Sequence, residues 1–310
     1  MSSTKPPLSM KKKLLLVDCS AVFHRSRRAL IRATGELTTS AGVPVTCTMS
    51  FLNGLFAIMA KYDYDCVIPC AEGGNNWRKK ENADYKATRT SEDIAHYADQ
   101  SLLLEDVLPT LGMNVVKSPG YEADDVIAHI SRHSPAYEEI HILTCDKDLL
   151  QLVNNRVKVL LFSSTKKIEL VDIDGVIQHF GVYPAEVKYF KALAGDSSDN
   201  VAGIKGVGKK TAVKVIEESR PSEINPEFTG ADKICLHPKV GPQAGTFLAN
   251  LRLVSLENDV PDLTWFASTP PESDRVEALF EALQFKKMLE RKQKIFETLK
   301  CPSVTSGCSS

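Results

Sequence analysis

The sequence predicts an α/β fold, in which a mostly parallel central sheet is flanked by helices and followed by a helical C-terminal region with a helix–hairpin–helix. Short apolar runs alternate with stretches of helical spacing up to about residue 162, which is the pattern of βαβ units. Beyond about residue 184, helical spacing continues without strand-like runs. A chain of 310 residues with 43% hydrophobic and 25% charged residues can hold one large domain and a smaller one, and it is neither mainly disordered nor collagen-like.

The strand candidates follow one another at intervals that leave room for helices. Residues 1–10 form a predicted flexible tail, and the first strand ends in Asp18. The strand candidates are Leu14–Val17, Cys66–Pro69, Ile140–Leu143 and Val157–Phe162, and helical spacing covers about 45–61, 98–112 and 122–134. We expect these elements to form a domain over residues 11–183, with its ligands at the carboxyl ends of the strands.

The rest of the chain is predicted to be helical over residues 184–300, before a second flexible tail at 301–310. Val187–Ala194 has the spacing of a helix, and the run GIKGVGKKTAVKVIEE follows at 203–218. Helical spacing returns at about 244–257 and 273–299. The stretch 219–246 contains four prolines and shows no period, so we predict a loop there.

Cysteine usage and hydropathy indicate a reducing compartment away from membranes. The eight cysteines form no Cys-x-x-Cys pair, which leaves a tetrahedral zinc site on cysteines without support. Scattered cysteines in a chain of this length are typical of a cytosol-like environment. The longest apolar run near the start, Leu14–Val17, is far too short for a membrane span. We therefore expect a cytoplasmic location and no membrane partner.

Nine acidic residues fall where the pattern places strand ends, helix starts or loops. They are Asp18, Glu72, Glu122, Asp124, Asp125, Asp146, Asp148, Asp196 and Asp199. A parallel sheet would bring such distant residues to one edge. Carboxylates gathered there are costly to ionise, and oxygen-preferring cations such as Mg²⁺ or Mn²⁺ remove that cost. Two such ions can hold the attacking and leaving oxygens of a phosphoryl transfer.

Each acid taken alone is better explained as a helix cap or a partner of the helix dipole, so it is the whole set that favours a metal site. The formal charge of −1 by itself argues against a nucleic-acid binder. Without the nine acids, however, 30 acidic residues stand against 38 basic ones. The remaining surface then carries an excess of eight positive charges, which is compatible with a phosphate-binding face.

The glycine- and lysine-rich run after residue 202 has the signature of a helix–hairpin–helix. Its glycines allow a tight turn and close backbone approach, and the helix that follows points its first N–H groups at a phosphate. The residues concerned are Gly203, Lys205, Gly206, Gly208, Lys209 and Lys210. We predict a sequence-independent grip on one DNA strand, and a plain turn with solvated lysines is the alternative.

A second basic segment follows the second strand and mixes cations with aromatic residues. It contains Trp77, Arg78, Tyr85, Lys86 and Arg89. This mixture suits stacking on bases and neutralisation of a phosphate, and a solvated basic helix is the alternative.

Two histidines, His129 and His133, lie four residues apart on a predicted helix, which is a spacing that zinc can use. No Glu follows His129 as it does in an HExxH motif, so we expect two surface or half-buried histidines rather than metal ligands.

Several segments resemble the 5′-nucleases, a family that includes flap endonucleases, phage 5′–3′ exonucleases and the N-terminal nuclease domain of bacterial DNA polymerase I. The segments occur in family order as LLLVD, WR, YKATR, GYEADD, TCDKD, GDSSDN and GIKGVGKKTA, within a resemblance from about Lys12 to Leu299. The resemblance implies a PIN-like fold and a divalent-metal-dependent, structure-selective enzyme. Such an enzyme would hydrolyse DNA near 5′ ends, nicks or flap junctions, as a monomer in a bacterial or phage-infected cytoplasm.

The resemblance also implies roles for individual residues. One metal cluster would hold Asp18, Glu72, Glu122 and Asp124 with Asp125 close by, and a second would hold Asp146, Asp148, Asp196 and Asp199, for two-metal catalysis with Mg²⁺ or Mn²⁺. Arg78 and Lys86 would lie over the scissile phosphate, Tyr85 would stack on a base and Arg89 would contact DNA. Residues about 79–110 would form an arch over a threaded strand, and the hairpin would bind K⁺.

One departure from the family pattern concerns the first cluster. Ala71 stands where bacterial polymerase relatives usually carry an Asp, seven residues before the arginine, and we expect the neighbouring Glu72 to serve instead. Otherwise the chain would be a weakly active or non-catalytic binder of DNA junctions. A third interpretation is an RNA-directed nuclease, with RNA–DNA hybrids as candidate substrates, although the hairpin element after Asp199 argues against it.

Overall fold

The computed structural model describes residues 12–24, 35–87, 100–162, 168–220 and 230–301. Five strands in these ranges form one sheet in the order β2-β1-β3-β4-β5. The strands β1 (Lys13–Asp18), β2 (Cys66–Cys70), β3 (Glu139–Thr144) and β4 (Val157–Phe162) are parallel, and β5 (Ile168–Val171) is antiparallel to β4. The predicted fold class is confirmed. The edge strand β5 is not among the predicted strands, because it is only four residues long and half of it is exposed.

The central strand β1 separates two hydrophobic cores. Leu14 and Leu16 belong to the core on one face of the sheet, whereas Leu15 and Val17 belong to the core on the other. All four side chains are inaccessible to solvent, as expected for a parallel strand that is covered by helices on both faces. The apolar run that predicts β1 therefore shows no alternation of polar and apolar residues.

Helices cover both faces of the sheet. The core on the first face includes residues of α4 (Ala123–Arg132), α5 (Ile173–Phe180), α6 (Val187–Ala194), α7 (Lys209–Glu218), α8 (Gly230–Leu236) and α9 (Ala244–Val254). The second face packs against α1 (Thr46–Tyr62), a π-helical turn (Leu102–Val107) with α3 (Leu108–Thr110), and α10 (Ser273–Ala282), α11 (Lys286–Glu290) and α12 (Lys292–Leu299). The short helix α2 (Trp77–Glu81) follows β2.

Two predictions for the C-terminal region are wrong. The stretch 219–246, predicted as a loop, contains α8, which forms because Ile234 on it is buried in the first core. The predicted helix over 273–299 is three helices, and the first break coincides with Gln284, whose φ of 58° lies in the left-handed region and ends helical propagation. No described helix is long and apolar enough to cross a lipid bilayer.

Candidate metal centre and nucleic-acid interface

The end of β1 places Asp18 in a group of neighbouring acids, where it is only 3% exposed. We call this group the acidic pocket, and its members are Asp18, Glu72, Glu122, Asp124 and Asp146. Thr144, at the end of the neighbouring β3, donates a hydrogen bond to its Oδ2 (2.7 Å), and the Ala21 N–H donates to Oδ1 (3.0 Å). Burial raises the pKa of Asp18 to about 6 against these two hydrogen bonds, with a further contribution from the charge of Asp146. Asp18 therefore binds a proton readily unless a cation replaces it.

The loop after β2 brings Glu72 to the mouth of the same pocket. Gly73 approaches Ser118 so closely that a Cβ would lie 1.6 Å from the Ser118 carbonyl oxygen, so only glycine fits there. Solvent reaches Glu72, yet protein atoms surround its carboxylate on most sides. This desolvation raises the pKa of Glu72 to about 7, and the charge of Glu122 contributes to the rise. Ala71 beside it is buried and donates its N–H to the Val116 carbonyl. That Glu72 serves in place of an acid at 71 stays a prediction.

The start of α4 contributes acids with two different functions. Glu122 is the N-cap, and its N–H donates to Asp125 Oδ2 (3.1 Å) in a capping box. Asp124 belongs to the pocket, since burial and the charges of Asp146 and Asp18 raise its pKa well above the usual range. Asp125 instead points into the protein and is inaccessible to solvent.

Arg78 on α2 occupies the space behind Asp125. Its Nη1 and Nη2 bond the two carboxylate oxygens of Asp125 at 2.6 and 2.7 Å, and its Nε bonds the Leu253 carbonyl at 2.7 Å. Its Nη2 also donates to the Ser255 carbonyl (3.1 Å) and Nη1 to Glu122 (3.2 Å). This arrangement differs from the predicted one, in which Asp125 binds metal and Arg78 faces a phosphate. Two buried charges stabilise each other best as a bidentate pair, and that pairing leaves both facing the protein.

A second group of acids lies beside the first. Carboxylate oxygens of Asp148, Asp196 and Asp199 lie within 4.8 Å of one another. Asp148 begins the 3₁₀ turn after β3, and its N–H donates to Asp146 Oδ1 (2.9 Å). Asp196 and Asp199 sit in a loop that is closed by two 2.8 Å hydrogen bonds between Asp196 and Val201. This tight loop brings Asp196 and Asp199 to the same side, beside Asp148.

Lys191 on α6 is a member of this second group that sequence reasoning misses. Its ammonium bonds Asp148, and it bonds Asp196 Oδ2 at 2.6 Å. Burial alone would raise the pKa of Asp196, but Lys191 and the hydrogen bonds from Ser198 lower it to about 2. The only signal in the sequence is a lysine within the otherwise apolar end of VKYFKALA, and such a residue is usually read as solvated.

Tyr85 and Lys86 connect the two groups of acids. The Tyr85 hydroxyl lies 3.0 Å from Glu122 Oε2 and 2.9 Å from Asp199 Oδ2. Lys86 Nζ bonds Glu122 and lies 3.8 Å from Asp199 Oδ1. Its φ of 54° places its backbone in the strained left-handed region, and its N–H donates to the Asp199 carbonyl (2.9 Å). Burial and the charge of Glu122 raise the pKa of Tyr85, so its hydroxyl keeps its proton.

The predicted stacking of Tyr85 on a base finds no exposed ring in this conformation, because the side chain packs in the first core and is only 2% exposed. Lys86 lies among the acids, as a counter-cation near a reacting phosphate would. The predicted DNA contact of Arg89 lies outside the described residues, and so does much of the predicted arch, at 88–99.

The helix–hairpin–helix is formed by α6, residues 195–208 and α7. Ile204 and Val207 are buried and anchor the turn, whereas Gly206 has a φ of 83° and is exposed. Gly208 caps α7, and the side chains of Lys205, Lys209 and Lys210 are exposed around its start. The packing is close, since a Cβ on Gly203 would lie 2.6 Å from the Ala194 carbonyl. The turn therefore offers exposed backbone and positive charge to an anion.

Two family models together match most of the chain. A 5′-3′ exonuclease N-terminal resolvase-like domain matches residues 13–181, and a 5′-3′ exonuclease C-terminal SAM fold matches residues 182–268. The chain belongs to the 5′-3′ exonuclease family of nucleases.

Curated relatives of this family member include DNA polymerase I of Synechocystis, 31% identical over 94% of the chain, and thermostable DNA polymerase I of Thermus aquaticus, 32% identical over 93%. The chain spans about a third of these relatives, 30% and 34% of their lengths. The bacteriophage T5 flap endonuclease, solved as a pseudo-enzyme–product complex with DNA and metal ions, shares the fold. Its TM-score is 0.60 at 20% identity, over 92% of this chain and all of that one.

Proposed function

We propose that this protein is a divalent-metal-dependent, structure-selective 5′–3′ exonuclease and flap endonuclease that hydrolyses DNA phosphodiesters near 5′ ends, nicks or flap junctions. One observation carries the proposal: acids from the ends of β1 and β3, the loop after β2, the start of α4 and the loop after α6 lie close to one another. The charge of Asp18 raises the pKa values of Glu72 and Asp124, and the charge of Asp146 raises those of Asp18, Asp124 and Asp199. Family membership and the likeness to a DNA-bound relative support it.

The donor set fits Mg²⁺ or Mn²⁺, because the converging groups are carboxylate oxygens. The first site would use Asp18, Glu72, Glu122 and Asp124, and the second site would use Asp148, Asp196 and Asp199. Asp146 would lie between the two sites, because its charge raises the pKa values of acids in both, namely Asp18, Asp124 and Asp199. Asp125 is left out because Arg78 holds both of its oxygens. Two bound ions would activate the attacking water and stabilise the charge that develops on the phosphate.

The side chains of this protein contribute orientation and neutralisation. Thr144 and the Ala21 N–H orient the Asp18 carboxylate towards the pocket. When cations neutralise Glu122, the ammonium group of Lys86 would leave that acid and pair with the scissile phosphate. The exposed lysines of the hairpin would hold the duplex backbone without reading its sequence. K⁺ binding in the hairpin turn stays a prediction.

The test is release of short products from a 5′-labelled flap and from a nicked duplex, with Mg²⁺ and with Mn²⁺. We expect cleavage that EDTA stops, and loss of cleavage with retained DNA binding in Asp146→Ala. The Lys61→Ala variant, altered at an exposed lysine near the end of α1, is the matched control that keeps full activity. Inactivity of the intact chain with both ions would contradict the proposal. Replacing the DNA strand by RNA in the same substrates tests the RNA-directed interpretation.

A non-catalytic junction binder is the second candidate, and the buried Ala71 motivates it. Glu72→Ala separates the two functions. A loss of cleavage by a factor of at least about 100, as expected for removal of a group that holds the catalytic cations, favours the enzyme. Unchanged cleavage means that Glu72 is not a ligand, and no cleavage in the parent chain with tight junction binding favours the binder.

A further inference from the structure

Helix α4 carries a second group of ligand-type side chains, at the end opposite to the acidic pocket. His129 and His133 lie on one face with stacked rings, whose centroids are 4.2 Å apart. The segment after α9 brings Asp259 to this face, so that its Oδ1 lies 3.5 Å from His129 Nδ1 and 3.9 Å from His133 Nε2. The helix supplies two potential ligands, and only the fold adds the third.

Hydrogen bonds around the two rings determine which nitrogens are unprotonated. The Val260 N–H donates to His129 Nδ1 (3.1 Å), so this nitrogen is unprotonated. His133 Nδ1 lies 2.9 Å from the His129 carbonyl oxygen, to which it must donate, and this leaves Nε2 of His133 unprotonated. Each ring thus presents one unprotonated nitrogen within 4 Å of Asp259 Oδ1.

The distances among these three atoms suit a small cation. One ligand atom from each of the three residues lies within 4.8 Å of the other two. Zinc–nitrogen bonds of about 2.1 Å in a tetrahedral site separate neighbouring ligands by about 3.4 Å, close to the 3.5 Å and 3.9 Å observed here. The side chains of His133 and Asp259 are 46% and 67% exposed, so water can complete the coordination.

Arg132 holds the Asp259 segment in position. Its Nη1 donates to the Leu256 carbonyl (2.7 Å), and its Nη2 donates to the Asn258 carbonyl (2.9 Å) and to Asp259 Oδ1 (3.2 Å). The third ligand is therefore placed before any ion binds. The positive charge of Arg132, and the Val260 hydrogen bond that an ion on Nδ1 must replace, weaken the site and make its ion exchangeable.

We propose that His129, His133 and Asp259 form a second metal site, which takes a borderline divalent cation such as Zn²⁺ and ties the segment after α9 to α4. Imidazole nitrogen prefers Zn²⁺, Ni²⁺ or Cu²⁺, whereas the acidic pocket offers oxygen ligands that suit Mg²⁺ or Mn²⁺. The two sites therefore separate their metals by chemistry. This inference does not depend on nuclease activity.

The test is a titration of the full chain with Zn²⁺ against a chromophoric chelator, in a large excess of Mg²⁺ that occupies the oxygen sites. We expect a zinc site that is weakened at least tenfold in His133→Ala and in Asp259→Asn. Zn²⁺ should also raise the unfolding temperature of the parent chain and not that of His133→Ala. Both substituted residues are exposed, and Mg²⁺-dependent cleavage by both variants should match the parent.

His237→Ala is the matched control, since His237 is also a histidine next to a carboxylate, 3.0 Å from Glu218. It should bind Zn²⁺ as the parent does. The proposal is overturned if the parent binds no Zn²⁺ in excess Mg²⁺, or if His133→Ala and Asp259→Asn bind it as tightly as the parent.

Discussion

At the scale of single residues, lysine side chains of the protein neutralise the two groups of acids. Lys191 pairs with Asp148 and Asp196, and Lys86 pairs with Glu122. Each ammonium neutralises part of a group of carboxylates that would otherwise repel one another. A divalent ion that enters the second group would therefore compete with Lys191 for these carboxylates.

Lys191→Met should consequently strengthen divalent-ion binding and lower the stability of the ion-free protein. We expect a loss of about 1–3 kcal/mol in the free energy of unfolding in EDTA, because two partly buried carboxylates lose their partner. Calorimetric titration with Mn²⁺ should show tighter binding in the variant. Lys188→Met, on the same helix but paired with the exposed Glu257, should change neither quantity. Equal Mn²⁺ affinities of Lys191→Met and the parent would show that Lys191 does not compete with the ion.

At the scale of elements, Arg78 joins three of them. It extends from α2 to Asp125 on α4 and to the carbonyls of Leu253 and Ser255 at the end of α9. These bonds connect the sheet domain to the helical region that carries Asp196 and Asp199. We infer that Arg78 is a positioning residue that aligns α4 with the pocket.

Arg78→Met should therefore lower the free energy of unfolding, measured in urea, by about 3–5 kcal/mol. The reason is that Asp125 becomes a buried charge without its ion-pair partner. The double variant Arg78→Met with Asp125→Leu should recover part of that loss. Lys79→Met, at the exposed neighbouring position, is the control. If Arg78 acted on the phosphate instead, its substitution would reduce cleavage and leave the urea midpoint unchanged.

The hairpin between α6 and α7 has a separable function in binding. Lys209→Ala should weaken duplex binding and reduce the slope of log affinity against log salt by about 1, because one phosphate contact is lost. Fluorescence anisotropy over a series of KCl concentrations measures both. Lys214→Ala, further along α7 and 72% exposed, is the matched control and should bind like the parent. An unchanged slope in Lys209→Ala would place the duplex elsewhere.

At the scale of the whole molecule, the acidic pocket couples folding to pH and to cations. Burial raises the pKa of Asp18 from 3.8 to about 6, so the folded chain retains a proton that the unfolded chain has released. This contribution to stability is complete below about pH 4 and is lost as the pH rises through 6. Cations that replace the proton restore it at neutral pH.

Without divalent ions, the free energy of unfolding should therefore fall by roughly 1–3 kcal/mol between pH 4.5 and 7.5, and Mg²⁺ should reverse the fall. Asp18→Asn should make the fall smaller without removing it, because Glu72 and Asp124 also have raised pKa values. It should raise the stability of the ion-free protein at pH 7.5, while it abolishes cleavage. Urea unfolding in EDTA and in Mg²⁺ at each pH measures this. Asp174→Asn, at an exposed acid on α5, should behave like the parent. A pH profile of Asp18→Asn that matches the parent would contradict the assignment.

Much of the sheet and of the acidic set could be predicted from local patterns. Short apolar runs locate β1 to β4 because strands covered on both faces consist of continuous apolar residues. Acids at strand ends identify the pocket because parallel strands end at one edge. Asp125 shows the limit of this reasoning. It lies at the same helix start as Glu122 and Asp124, and yet its side chain points into the protein towards Arg78.

By itself, the sequence determined the fold class, the edge of the sheet at which the acids meet and the kind of cation that suits them, because these depend on residue type and period. Only the tertiary structure decided which distant groups pair. Lys191 reaches Asp148, Arg78 reaches the end of α9, and Asp259 meets His129 across 130 positions of chain. Such pairs depend on how helices pack, and packing joins residues whose separation along the chain carries no periodic signal.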